Sequence, residues 1–198
     1  MSKIDKFQMI DDNTPGVDSA YLSQDAPLAR RTPLYDVIML DARARQSLVA
    51  VRSLGRRGRR VAALETYDCV PAFSSRWCQR KFVSRVDEGS DDYLASVEQV
   101  LDASGSYLLI PASDGTIELL RRHRERLERR VSIALAKEPG LGIAIDKEQT
   151  LAIASRLGLG VPRGVTVRDM GDVSMALREI GVPAVVKPTV SWGCMKKL

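Results

Sequence analysis

The sequence predicts an α/β fold built on a parallel sheet, and three observations predict it. Three apolar runs, Val37 to Leu40, Val61 to Leu64 and Tyr107 to Ile110, are continuous rather than alternating, as in strands covered on both faces, and Val131 to Leu135 reads as a fourth strand. Between the first two runs, and between the second and third, lie segments with apolar residues at helical spacing, the βαβ order whose crossover is right-handed. Glycines fall where those segments should stop, at Gly55 and Gly58 and again at Gly105.

Taken in order, residues 1–34 are rich in Asp and poor in periodic apolar residues, and the expectation is a disordered or loosely packed tail. Ile4, Phe7, Met9 and Ile10 could still add a short element to the surface of the domain. Residues 35–140 form the α/β domain. Leu48, Val51 and Leu54 give its first helix a buried face, and Arg45 and Arg52 lie on other faces. The stretch from Tyr67 to Val86 reads as a long loop on the sheet edge, anchored by Phe73, Trp77 and Phe82 with Arg76, Arg80 and Lys81 in solvent. Ser90 caps a second helix with Asp91 and Asp92 in its first turn, and Tyr93, Leu94, Val97, Val100 and Leu101 supply its apolar face. A further helix spans Ile117 to about Arg129. Its run of arginines, interrupted by Glu125 and Glu128, reads as a solvated face rather than a nucleic-acid patch.

Residues 141–198 read as a second, α+β segment. Asp146 caps a helix to Leu157, with Gln149 in position to complete a capping box. Val161 to Val167 is expected as a strand and Asp172 to Ile180 as a helix. Pro183-Ala184-Val185-Val186-Lys187-Pro188 is expected as a buried strand that ends in a lysine.

Several function classes lack support. The 44% hydrophobic content suits a globular protein, and 30 Lys and Arg against 25 Asp and Glu leave a charge of +5 that is compatible with many anions. Cys69, Cys78 and Cys194 have no metal-ligand spacing, and an odd number suits free thiols in a reducing compartment. No apolar run has the ~18 residues of a membrane span and no signal sequence opens the chain, so a cytoplasmic location is expected. The first turn, Asp41-Ala42-Arg43-Ala44-Arg45, has no glycine fingerprint for a dinucleotide. The single histidine, His123, has no triad arrangement around it in the sequence.

The order Asp146-Lys147, then Gly158-Leu159-Gly160-Val161-Pro162, then Val185-Val186-Lys187-Pro188 resembles the opening of the ATP-grasp superfamily. That superfamily includes carbamoyl phosphate synthase, biotin carboxylase and D-alanine:D-alanine ligase. The resemblance covers roughly residues 35 to 193, its N-terminal portion only. It implies a Rossmann-like pre-ATP-grasp domain followed by a truncated ATP-grasp nucleotide-binding subdomain, with Lys147 and Lys187 on the ATP phosphates. It further implies ATP-driven carboxylate–amine ligation through an acyl phosphate.

In the resembled fold, the corner that carries Arg43 faces the acceptor substrate or the nucleotide end of the cleft. Arg43 is therefore a candidate anion contact, and a solvated arginine at a helix start accounts for it equally well. Ligands in open α/β sheets gather at the carboxyl ends of strands, which makes Ser113 and Asp114 candidates for the carboxylate substrate, beside simple helix capping by Asp114 or Thr116. Magnesium belongs to the family, but its ligands are expected to be absent from this chain. Ser191-Trp192-Gly193 begins a phosphate-covering loop, and the sequence then stops at Leu198. The chain alone is thus expected to be inactive, and to self-associate, to pair with a separately encoded C-terminal half, or to fray. The alternatives are a non-catalytic nucleotide- or metabolite-binding Rossmann-like protein and, less favoured, a basic nucleic-acid-binding module.

Overall fold

The computed structural model describes residues 33–87 and 90–189, together with the backbone of Phe7–Ile10. It divides between Leu135 and Ala136 into two units.

The first unit is a six-stranded sheet of order β1-β4-β3-β2-β5-β6, formed by Phe7–Ile10 (β1), Val37–Met39 (β2), Val61–Glu65 (β3), Cys78–Ser84 (β4), Leu108–Ile110 (β5) and Ser132–Ile133 (β6). All neighbours are parallel except β1, which runs antiparallel to β4 with Phe7 opposite Ser84 and Ile10 opposite Lys81. The expected α/β class and parallel sheet are therefore present. Of the expected N-terminal tail, β1 and the last two residues, Pro33 and Leu34, lie inside the described residues.

Both faces of the sheet are covered, which explains why β2 and β3 read as unbroken apolar runs. On one face Ile38, Leu40, Ala62, Leu64 and Leu109 pack against Tyr93, Leu94, Val97 and Leu101 of helix α2 (Asp91–Ser104) and Leu119 and Leu120 of α3 (Asp114–Arg122). On the other, Met39, Ala63, Val61 and Val83 meet Val51 of α1 (Arg45–Arg56) and Val70, Ala72 and Phe73 around the 3-10 turn Pro71–Ser74. Caps agree with the sequence: the Ser90 hydroxyl accepts from Tyr93 N at 3.1 Å, and Gly105 adopts φ 63°. At the amino ends of the strands, Asp36 ties three of them together. Its carboxylate accepts from Arg60 N (2.8 Å), the Arg60 guanidinium (2.6 Å) and the Tyr107 hydroxyl (2.9 Å).

Two expectations for this unit change. Cys78–Ser84 is a strand and not part of a loop. It escapes the sequence pattern because only Phe82, Val83 and Ser84 are buried, and Gln79 is exposed beside an edge that needs no apolar cover. The helix expected over Ile117 to Arg129 starts at Asp114 and breaks at His123, after which α4 (Arg124–Glu128) follows. The break re-aims the chain so that Leu127 joins Val131 and Ile133 in the core while the Arg124 guanidinium donates to the Leu135 carbonyl. Arg124, Arg126 and Arg130 hold Glu128, Glu98 and Asp102, so this face is laced with ion pairs.

The second unit holds α5 (Gly140–Ile145), α6 (Lys147–Arg156) and α7 (Val173–Ile180). Its expected strands, Val161 to Val167 and Pro183 to Pro188, are not strands, and no strand occurs among the described residues of this unit. A strand is stabilised by ladder pairing and a covered face, and neither is present for these segments: Val185 and Val186 are 79% and 97% exposed. The apolar stripe of α6 is likewise uncovered, with Leu151 and Leu157 exposed.

Candidate functional site

The carboxyl edge of the sheet in the first unit is organised by two buried carboxylates that sequence reasoning passed over. Asp41 follows β2 in a left-handed conformation, φ 56°, which Asp tolerates better than most residues. Its Oδ2 accepts from the backbone N–H of Ala112 (2.7 Å) and Ser113 (2.8 Å), and its Oδ1 from the hydroxyls of Ser113 (3.0 Å) and Thr116 (2.6 Å). Glu65, at the end of β3, accepts from Arg43 N at 2.8 Å and from Thr66 N at 2.7 Å. Each carboxylate thus clasps a loop that follows a strand. Their signal in the sequence was an acid placed immediately after a buried apolar run, where an unpaired charge would be costly.

This arrangement sorts the residues singled out in the sequence. Ser113 is the N-cap of α3, its hydroxyl accepting from Thr116 N at 3.2 Å. Asp41 therefore takes the place at the amino end of α3 where an incoming anion would meet free N–H groups. Asp114, in the first turn of α3, is exposed. Arg43 is exposed too, with its guanidinium carbon 5.5 Å from the ring centre of Tyr67, so this edge presents a cation held on an aromatic face. Gln46 reaches across from α1 to the Ala112 carbonyl at 2.7 Å, which fixes the turn after β2 to the loop after β5.

In the second unit, Asp146 caps α6 as expected. Oδ1 accepts from Gln149 N at 3.0 Å, and Oδ2 accepts from the Gln149 side-chain amide at 2.9 Å. These bonds hold the Asp146 carboxyl below the usual range. Lys147 is half-buried in the first turn, and its backbone N–H donates to the Thr189 carbonyl at 3.1 Å. That bond carries the segment bearing Lys187 to the amino end of α6. Because the Lys147 and Gln149 N–H groups already have acceptors, an anion here would be bound by lysine ammonium groups rather than by the helix terminus.

Other groups take no part. Burial pushes the Cys78 thiol up to about 11, which leaves it un-ionised and unreactive at neutral pH. Among the described residues no cluster of three or more His, Cys, Asp or Glu could hold a metal ion, and no helix is long and apolar enough to cross a membrane.

No family model matches the chain. Over 63 residues, 32% of the chain, it is 36% identical to the carbamoyl phosphate synthase large chain of Rhodopirellula baltica, of which the match covers 6%. Among solved structures it superposes on glycinamide-RNase-transformylase T from Mycobacterium tuberculosis with a TM-score of 0.52 and 19% identity, over 74% of this chain and 40% of that one. The biotin carboxylase domain of the Hydrogenobacter thermophilus 2-oxoglutarate carboxylase, solved with MgADP, ADP and bicarbonate, gives a TM-score of 0.51 and 16% identity over 76% and 34%. The chain thus spans well under half the length of the proteins it matches. Carbamoyl phosphate synthase and biotin carboxylase, both named by the resemblance drawn from the motif order, recur here, and the chain has the fold of the N-terminal portion of ATP-grasp enzymes.

Proposed function

We propose that this chain is the N-terminal part of a cytoplasmic ATP-grasp carboxylate–amine ligase, in which Lys147 and Lys187 bind the ATP phosphates. The observation that carries the reading is the backbone bond from Lys147 to Thr189, which joins the two lysine-bearing segments across forty residues of sequence. Each of the two joined segments carries a lysine, and a lysine ammonium is a point charge suited to phosphate oxygens. A triphosphate is the anion that the fold's relatives suggest, one of them having been solved with MgADP. Each lysine would act as a point charge that neutralises phosphate oxygens, which favours a loose phosphoryl-transfer transition state by electrostatics rather than by covalent chemistry.

In this reading Arg43 supplies a cation for the small carboxylate at the sheet edge, Asp114 borders it, and Ser113 contributes by holding Asp41. Among the described residues no group of three or more His, Cys, Asp or Glu is placed to hold magnesium. In this reading phosphate binding is what the residues described here contribute. The exposed Val185 and Val186 suit a second copy or a separately encoded partner that covers them.

An ATP analogue with an aldehyde at its phosphate end tests the reading, because it forms a reducible imine with lysines beside the phosphates. After borohydride trapping and peptide mapping, label should lie on Lys147 and Lys187 and be lost when excess ATP competes. Label spread over other lysines, or unaffected by ATP, would overturn it.

A further inference from the structure

A groove of about 390 Å³ lies on the α1 face of the first unit, away from the carboxyl edge of the sheet, and is lined by Arg52, Arg56, Ser74, Ser75, Arg76 and Trp77. Its geometry starts at Gly55. A Cβ there would stand 2.5 Å from Trp77 Cβ and 2.8 Å from its Cγ, so the missing side chain is what lets α1 approach the residue that follows the 3-10 turn. Arg52 and Arg56 are three residues before and one after that contact. Being one helical turn apart, they project from the same side of α1. On the facing wall the Arg76 guanidinium lies over the Trp77 ring, 5.0 Å from its centre. Stacking of that kind restrains the guanidinium plane and leaves its in-plane N–H donors pointing outward, the form in which arginine grips phosphate oxygens in pairs.

Charge sets this cluster apart from the ion-paired arginines of the first unit. Arg60, Arg124, Arg126 and Arg130 each hold a carboxylate. Arg52, Arg56 and Arg76 meet no acid among the described residues, although they share one small groove. Three like charges gathered without a counter-charge oppose one another in the free protein, and a compact ligand with two or more negative charges relieves all three at once. A single carboxylate supplies too little charge. The hydroxyl of Ser74 adds a neutral donor at the rim, and the volume falls within the roughly 300–1,000 Å³ typical of small-molecule sites.

We propose that this groove is a binding site for a small phosphate-bearing ligand of the diphosphate class, separate from the lysine site of the second unit. It does not depend on the ATP reading. The guanidinium groups of Arg52 and Arg56 clasp one end of the anion and the stacked Arg76 the other, and Trp77 reports occupancy because the bound anion changes the charge over its ring.

Inorganic pyrophosphate is the probe, titrated into the full chain at constant ionic strength without added metal. Trp77 and Trp192 are the two tryptophans of the chain, so a Trp192→Phe background leaves Trp77 as the fluorophore. A saturable change in Trp77 fluorescence with a matching one-to-one calorimetric isotherm is expected. Arg52→Ala, Arg56→Ala and Arg76→Lys should each weaken binding about tenfold or more, with folding checked by circular dichroism. Arg129→Ala, an exposed cation elsewhere, and the double variant Lys147→Ala/Lys187→Ala should bind as the parent does. The proposal is overturned by groove variants that bind like the parent, or by an Arg129→Ala loss as large as theirs, which would mean diffuse charge. It is equally overturned by no saturable signal in either method, or by a single-stranded 20-mer DNA that binds tightly and that pyrophosphate does not displace.

Discussion

The N–H of Lys147 donates to the carbonyl of Thr189 at 3.1 Å. A helix start and an irregular segment forty residues later are thereby held together without any ladder, and the bond leaves Lys187 two residues from the join. Because Val185 and Val186 beside it are almost wholly exposed, this join is all that the described structure offers the lysine segment.

Hydrogen exchange should therefore divide the chain. Amides from Val37 to Leu40, buried between β3 and β5, should exchange only through global or near-global opening, whereas those from Ala184 to Lys187 should exchange at close to unprotected rates. Equal protection of both segments in a protein shown to be monomeric would contradict this.

Asp41→Asn should lower stability by about 1–3 kcal/mol, or roughly 2–12 °C in Tm for a chain of this size. Asn keeps the tolerance for φ 56°, but its NH2 group would face donors that now point at a carboxylate. Thermal unfolding checks it, and an unchanged Tm would show that the four bonds are not formed.

Gly55→Ala sets two effects against each other. Helix propensity favours alanine by about 1 kcal/mol, and overpacking costs typically 1–3 kcal/mol. Here the clash is with Trp77 Cβ, which cannot swing away because it is fixed to the backbone, so the substitution should destabilise. Urea unfolding of the variant gives the sign directly, and a gain in stability would refute the close approach of α1 to Trp77.

Asp36 has its carboxyl lowered from 3.8 to about 2, first by the Arg60 guanidinium hydrogen bond and, with the opposing cost of burial, also by the Arg60 N–H and the Tyr107 hydroxyl. A lowered folded value means that the contribution is complete above the unfolded value and is lost as pH falls from about 4 through about 2. With part of the Arg60 side chain in solvent, Asp36→Asn should cost on the order of 1–2 kcal/mol at pH 7, and the gap from the parent should narrow toward pH 3. Unfolding curves at pH 7, 5, 4 and 3 test this, and a gap that does not change with pH would contradict it.

The central strands were legible because burial on both faces leaves an unbroken apolar signature, as in Val37 to Leu40 and Val61 to Leu64. Caps such as Ser90 and Asp146 were legible because their chemistry is local. Strand β4 was not, since its first half meets solvent and carries Gln79, Arg80 and Lys81, and its place is set by pairing with β3 far away in sequence. The segment around Val185 failed in the opposite sense: its residues have strand propensity, but propensity without partners makes no strand. Of the candidate site, the proposal for the two lysines comes from motif order, whereas Asp41 and Glu65 act on loops that only the folded sheet brings to them.

The most direct test of the central claim is the affinity of the full chain for ATP, measured by calorimetry for the parent, Lys147→Ala, Lys187→Ala and, as a control, Arg52→Ala/Arg56→Ala. Saturable binding that each lysine substitution weakens about tenfold or more, and that the arginine double variant leaves largely in place, is the predicted result. ATP bound equally well without the lysines, or not bound at all by the folded parent, would contradict it.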